Sequence, residues 1–395
     1  MSGEPVHIAS RMQRIRPFYV MDLLARAREL ERQGRSIVHM EIGEPDFVTP
    51  EPIVQAGQRA LEQGRTHYTP ALGLPELRQA IADHYREGFG VSLDPQRVIV
   101  TPGASGALQL VMSVLVNPGE KVLLADPGYP CNRHFVELVN GVPVPVPVGP
   151  ESGFQLTAAQ TLAAWEAGVQ AVLVATPSNP TGTLLDSGQL AELWRAVSGR
   201  GARLIVDEIY QGLVYGIQPH TALSFSDEVF IINSFSKYFG MTGWRLGWIV
   251  APEAYVEAID RLAQNIFLAA PTLSQYAALA GFEPETLRIL ERRRQAFQER
   301  RDFLLPTLRE LGFEIPASPQ GAFYLYADCS RFSDDSGDLA DRLLSRAGVA
   351  VTPGMDFGRN QPERYLRFAY TTSLDQLREG VTRIGDFLRR EAQVR

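Results

Sequence analysis

Ser234-Phe235-Ser236-Lys237-Tyr238-Phe239-Gly240-Met241-Thr242-Gly243-Trp244-Arg245-Leu246-Gly247 is the stretch on which the reading of this chain turns. A short apolar run, 229–232, leads into it and another, 246–250, leads out, so it reads as a loop between two strands. Tyr238, Phe239 and Trp244 mark a buried place, where an unpaired lysine ammonium is costly. One resolution is that Lys237 carries no free ammonium because it is bonded to a carbonyl compound. The other is a structural lysine held in the core.

Working outward, short apolar runs at 121–125, 142–148, 171–175 and 204–206 alternate with helical patterns at 131–139, 157–165 and 186–197. Near-continuous apolar strands separated by helices predict an α/β sheet covered on both faces. Ligands of such sheets collect beyond the C-terminal strand ends. There lie Asp126 to Tyr129, Thr176 to Gly182, Asp207 to Tyr210 and Ser234 to Lys237. Four strand ends thus deliver polar or aromatic groups to one rim. Earlier, a run at 97–101 meets Pro102-Gly103-Ala104-Ser105-Gly106 and then an apolar helix at 107–116. Strand, small-residue turn and helix place free N–H groups and a helix dipole where an anion can sit. The turn is neither a Walker loop nor a GxGxxG fingerprint, so a nucleotide is not implied.

Taken singly, these residues have plainer readings. Asp207 can cap a helix, Asn179 can shape a turn, Tyr129 can be core, and Gly43-Glu44-Pro45 can be a simple turn. Helical patterns are predicted at 21–33, 50–63, 74–85, 284–311, 339–347 and 374–389, and strands at 37–42, 322–327 and 364–369. The arginines at 292–294 and 300–301 alternate with glutamates at helical spacing, which reads as a solvated helix face and not a nucleic-acid site.

At 395 residues the chain is long for one core, and two domains are expected. The predicted division is an N-terminal arm and part of a small domain at 1–46, a large domain at 47–283, and a small C-terminal α+β domain with its connecting helix at 284–395. Hydrophobic residues at 45% and charged residues at 21% are those of a globular chain, and a net charge of −7 disfavours nucleic acid. The longest apolar run, 108–116, is too short to cross a bilayer, and the polar stretch at 1–16 lacks a signal peptide's apolar centre. Cys131 and Cys329, far apart and without CxxC spacing, indicate neither disulfide nor metal site. A cytoplasmic setting is expected.

The segment around Lys237 closely resembles the cofactor-attachment motif of class I aminotransferases, the fold-type I family that includes aspartate and aromatic aminotransferases. Asn179-Pro180-Thr181-Gly182, Asp207 with Tyr210, Ser234 to Lys237, and Gly243 to Arg245 match the other elements of that family, and the likeness runs from about 16 to 389. It implies a large domain with a mostly parallel seven-stranded sheet between helices, beside a smaller α+β domain. It also implies pyridoxal 5′-phosphate bonded to Lys237, its phosphate held by Gly103, Ala104, Ser105, Ser234 and Arg245. Asp207 would face the ring nitrogen, Asn179 and Tyr210 the phenolic oxygen, and Tyr129 the ring face. The family further implies a homodimer with shared active sites, in which Tyr68 reaches the partner's cofactor phosphate. Arg367 would grip the substrate α-carboxylate with Asn179, and Gly43 would lie beside the amino acid.

The activity implied is ping-pong transfer of an amino group between an L-amino acid and a 2-oxo acid, with Lys237, Asp207 and Tyr210 catalytic and no metal. Family members that favour dicarboxylates place a second cation near the position of Ser105 or in the segment 265–271, and no basic residue stands at either. A neutral or aromatic amino donor is therefore expected, with Ile15, Pro17, Phe18 and Phe267 as pocket candidates and Arg16 as the one cation able to reverse that expectation. The same cofactor chemistry also serves β-lyases and aminocyclopropane-carboxylate synthases, and a fold retained as a non-catalytic regulatory module is the remaining alternative.

Overall fold

In the computed structural model, which describes residues 6–15 and 17–394, the chain begins with α1 (Tyr19–Arg32), β1 (Val38–His39), α2 (Glu51–Glu62) and α3 (Pro75–Phe89). Its middle alternates β2 (Val98–Thr101), α4 (Gly103–Leu115), β3 (Lys121–Asp126), α5 (Pro130–Leu138), β4 (Val142–Pro147), α6 (Ala158–Ala163), β5 (Val169–Ala175), α7 (Ser187–Ser198) and β6 (Arg203–Asp207). Then come β7 (Phe230–Ser234), β8 (Gly247–Val250), α8 (Glu253–Ile266), α9 (Thr272–Leu279) and the long α10 (Pro284–Leu311). The chain closes with β9 (Tyr324–Asp328), α11 (Ser336–Arg342), β10 (Val349–Ala350), β11 (Thr352–Pro353), β12 (Tyr365–Ala369) and α12 (Leu374–Val394).

Seven strands form one sheet in the order β2-β8-β7-β6-β5-β3-β4. Only β8 runs against its neighbours. Successive side chains of a strand point to opposite faces, and both faces here are buried. Val98, Leu123, Val172, Val206, Ile231 and Trp248 enter one core, while Ile99, Leu124, Leu173, Ile205, Ile232 and Ile249 enter the other. That double burial is why the runs are apolar without alternation. Pro143, Pro145 and Pro147 are tolerated in β4 because it is the edge, where a missing N–H costs no ladder bond. Helices α6 and α7 begin at reciprocal caps, Thr157 with Gln160 and Asp186 with Gln189.

A third core gathers Phe313, Leu325, Leu343, Leu366, Phe368 and Ile384 around the antiparallel sheet β11-β12-β9, and Val38 and Met40 join it from the N-terminal segment. The strand expected over 37–42 is only β1, because only Val38 and His39 register against β10. Helices α8 and α9 were not foreseen in the sequence. The expected solvated arginine face needs correction at Arg300, which is buried, paired with Asp46 at 2.8 Å and bonded to the Thr371 carbonyl.

In β1, His39 stands between two carboxylates, Nδ1 at 2.7 Å from Glu41 and Nε2 at 3.1 Å from Glu31. A carboxylate only accepts, so both ring nitrogens donate and the ring is an imidazolium. The Glu41 hydrogen bond is the main cause that pushes its pKa up to about 9. A raised folded-state pKa gives stability that is complete below the ordinary value and is lost as pH climbs through about 9. Since the ring is partly exposed, the gap in unfolding free energy between wild type and His39→Gln should be on the order of 1 kcal/mol at neutral pH. Urea titrations should find that gap closing toward pH 10. A gap independent of pH would refute the ion pair.

Candidate active site

At the C-terminal end of the large sheet lies a cavity of about 390 Å³. Asp207 is the last residue of β6 and Ser234 the last of β7, and Lys237 follows three residues on. Ala104 and Ser105 come from the start of α4, Tyr129 from the turn before α5, and Asn179 from the loop after β5. All of these line the cavity, together with Gly43, Tyr210, Arg245 and Arg367. Residues scattered over more than three hundred positions meet here: most come from the strand ends and helix starts of the large-sheet rim, while Gly43 comes from the loop after β1 and Arg367 from the middle of β12 in the small sheet.

Lys237 Nζ donates to the Gly43 carbonyl at 2.8 Å. Loss of water draws its pKa down to about 8, with Arg367 and Arg245 pulling the same way and Glu44 and Asp207 opposing. Position 43 must be glycine for this contact, since a Cβ there would fall 2.0 Å from Tyr324 Oη. Asp207 is buried and accepts the Ile209 N–H at 3.1 Å. Desolvation raises its carboxyl to about 6, against that N–H and Lys237. The residues after it form a turn and not a helix, so the helix-cap reading fails. Its neighbour Glu208 turns away, accepting Ala222 N–H at 2.8 Å and Thr221 Oγ1 at 3.1 Å, and burial raises it to about 8.

Arg245 takes the left-handed backbone region, φ 53°, and donates to the Thr242 carbonyl. Its guanidinium stands over the start of α4, where a Cβ on Gly103 would come 2.6 Å from Nη2. With the free N–H groups of α4 and the Ser105 hydroxyl, this arrangement is able to seat an anion. Ser234 lies inside it, but its hydroxyl donates within the loop, to Leu246 O or Ser236 Oγ. Ser236, not singled out in the sequence, lines the cavity too.

Arg367 is buried in the middle of β12. It donates to Asn179 Oδ1 at 2.9 Å and to the Glu41 carbonyl. Its guanidinium lies 4.4 Å from the Tyr324 ring centre and 4.8 Å from that of Phe357. Nε has no hydrogen-bond partner among the described residues. Tyr210 and Tyr324 share a hydrogen bond of 2.9 Å. Tyr324 and Phe357 were missed in the sequence, because one aromatic in a strand or turn reads as core. Phe18 also lines the cavity, edge-on to Tyr129 at 6.2 Å, with Val20 and Met21 beside it. Ile15, Pro17 and Phe267 do not line it, and Arg16 lies outside the described residues. Tyr68, 81% exposed, lies in a separate cleft with Leu268. Among the described residues no group of His, Cys, Asp and Glu is placed to hold a metal, and no helix is long and apolar enough to cross a membrane.

Comparison with known proteins agrees along nearly the whole chain. A valine–pyruvate aminotransferase of Mycobacterium tuberculosis is 38% identical over 374 residues, spanning 94% of this chain and 96% of the relative. The crystal structure of an aminotransferase from Mycobacterium tuberculosis superposes with a TM-score of 0.95 at 37% identity, covering 98% of this chain and 100% of that one. The aspartate aminotransferase of Thermus thermophilus with maleate gives 0.92 at 34% identity, covering 97% and 100%. Residues 35–384 match the family described as aminotransferase class I and II, and with a fold-type I sheet whose rim carries Lys237, this chain belongs to that family of transferases.

Proposed function

We propose that this aminotransferase binds pyridoxal 5′-phosphate through Lys237 and takes neutral or aromatic amino donors. One observation carries the reading: a desolvated lysine amine faces a buried carboxylate, Asp207, and a buried arginine, Arg367, across one cavity. The residues fit the group. The cradle at Arg245, Ser105 and the start of α4 suits its phosphate, Asp207 its ring nitrogen, Tyr210 and Asn179 its phenolic oxygen, and Tyr129 its ring face. When bound, the cofactor supplies an aldehyde carbon for the donor nitrogen and a ring that accepts the electron pair left on Cα.

The remaining work falls to this chain's own side chains. Arg367, presenting a planar fork, binds the α-carboxylate beside Asn179 and so orients Cα toward Lys237. Lys237, a neutral amine near pH 8, takes the Cα proton and returns it on the same side of the cavity. Asp207 holds positive charge at its end of the cavity, where low dielectric strengthens the interaction. The aromatic walls Tyr129, Tyr324 and Phe18 exclude water from this transfer.

The donor class rests on the wall formed by Phe18, Val20, Met21 and Leu108. Lys237, Arg245 and Arg367 are the cations that line the cavity among the described residues, and each has another task. A relative named for valine and pyruvate accords with an apolar donor. A homodimer accords with the exposed Tyr68, Ile266 and Leu268, and we place its Tyr68 at the partner's phosphate cradle. We also keep the division at 46/47 and 283/284, and a cytoplasmic location on the strength of the composition.

Lys237→Ala should lower transamination by at least about 10³-fold, read by single-turnover conversion of an amino acid to its oxo acid; near wild-type turnover would sink the assignment. Arg367→Ala should lower kcat/KM for amino acids about a hundredfold yet leave turnover of the corresponding amines, which lack the carboxylate, nearly unchanged. Loading of cofactor-free protein, followed by visible absorbance, should accelerate with pH through about 8, because only the neutral Lys237 amine attacks an aldehyde. A flat profile from pH 6.5 to 9.5 would count against it.

A further inference from the structure

We propose that Asp356 is a positioning residue that sets the apolar side of the substrate cavity by anchoring the first turn of α1. The inference deepens the reading above and rests on it: Arg367 takes the substrate carboxylate, and the α1 side takes its side chain.

Helix α1 starts without a cap of its own, since the residue before it, Phe18, offers no side-chain acceptor. The first N–H groups of a helix have no partner inside it. Asp356 supplies one from 337 residues away, accepting Tyr19 N–H at 3.0 Å and Val20 N–H at 3.3 Å. A buried carboxylate at this place also meets the positive end of the helix dipole. The turn so held is the one that delivers Phe18, Val20 and Met21 to the cavity. Released from Asp356, its N–H groups would turn to water and those side chains would lose their register.

Asp356 is itself pinned from both sides. Before it, Thr352 Oγ1 donates to the Glu41 carbonyl, the same carbonyl that receives Arg367. After it, Phe357 lies against the Arg367 guanidinium. Arg359 and Asn360 then donate their backbone N–H groups to the Asp126 carboxylate at 3.0 and 3.3 Å. The strap is threaded tightly there, for a Cβ on Gly358 would fall 1.6 Å from Asp126 Oδ1. One segment, 352–360, therefore spaces the side-chain wall from the carboxylate grip. Such a spacer selects donors by apolar reach: leucine and phenylalanine touch the wall and alanine stops short of it.

The test uses holoenzyme and the first half-reaction with alanine, leucine and phenylalanine. D356A should lower kcat/KM for leucine and phenylalanine roughly tenfold, through KM, while alanine stays within about twofold. D356N, which keeps an acceptor oxygen, should recover most of the loss. Calorimetry should show 3-phenylpropanoate binding weakened in D356A and acetate unchanged, a readout independent of turnover. Equal losses for all three donors, or unaltered 3-phenylpropanoate binding, would overturn the proposal. Should D356A not fold, hydrogen exchange of wild type decides: 3-phenylpropanoate, and not acetate, should slow exchange at residues 19–22, and equal exchange with both refutes it. A wild-type enzyme that converts no donor at all would defeat the underlying reading instead.

Discussion

Keeping an amine out of water is the constraint on which the rest of this structure depends. The Lys237 side chain is partly buried, and its amine has one hydrogen-bond acceptor, the Gly43 carbonyl. Two arginines share its cavity, and two carboxylates, Glu44 and Asp207 at the end of β6, oppose them. Burial and like charge both disfavour the ammonium, which draws its pKa down to about 8. Every neighbouring feature either maintains that dryness or places a charge at a fixed distance from it.

Buried charges survive here because their partners are built into the backbone. Arg367 is held by a side-chain amide, a main-chain carbonyl and two aromatic faces, with Nε left over. None of these hydrogen-bond partners is a carboxylate, so no carboxylate occupies the guanidinium fork, and Asp356 acts on it only through space. That is the state a receptor for an incoming carboxylate requires. Asp207 is treated likewise, with one N–H to fix it and no arginine to satisfy it.

Two sets of strands share the work. The large sheet carries the lysine, the acid and the anion cradle, and the small antiparallel sheet carries Arg367 and Tyr324. They are tied by the strap at 352–360 on Asp126 and by Tyr210 to Tyr324. The cavity is lined from both, so its two sides come from different parts of the chain.

The sequence by itself determined the sheet, the lysine that lines the cavity and most of the polar rim. Those depend on local rules: apolar runs must be buried, and small residues before a helix leave N–H groups free. It also showed what was missing, a second cation for a distal carboxylate near Ser105. Only the tertiary structure decided which aromatic residues stack on Arg367, that Phe18 and not Phe267 walls the cavity, and that Arg300 is buried. It alone joined Asp356 to the start of α1. These contacts link positions hundreds of residues apart, and nothing in a residue's own neighbourhood in sequence records which distant group will complete its hydrogen bonds.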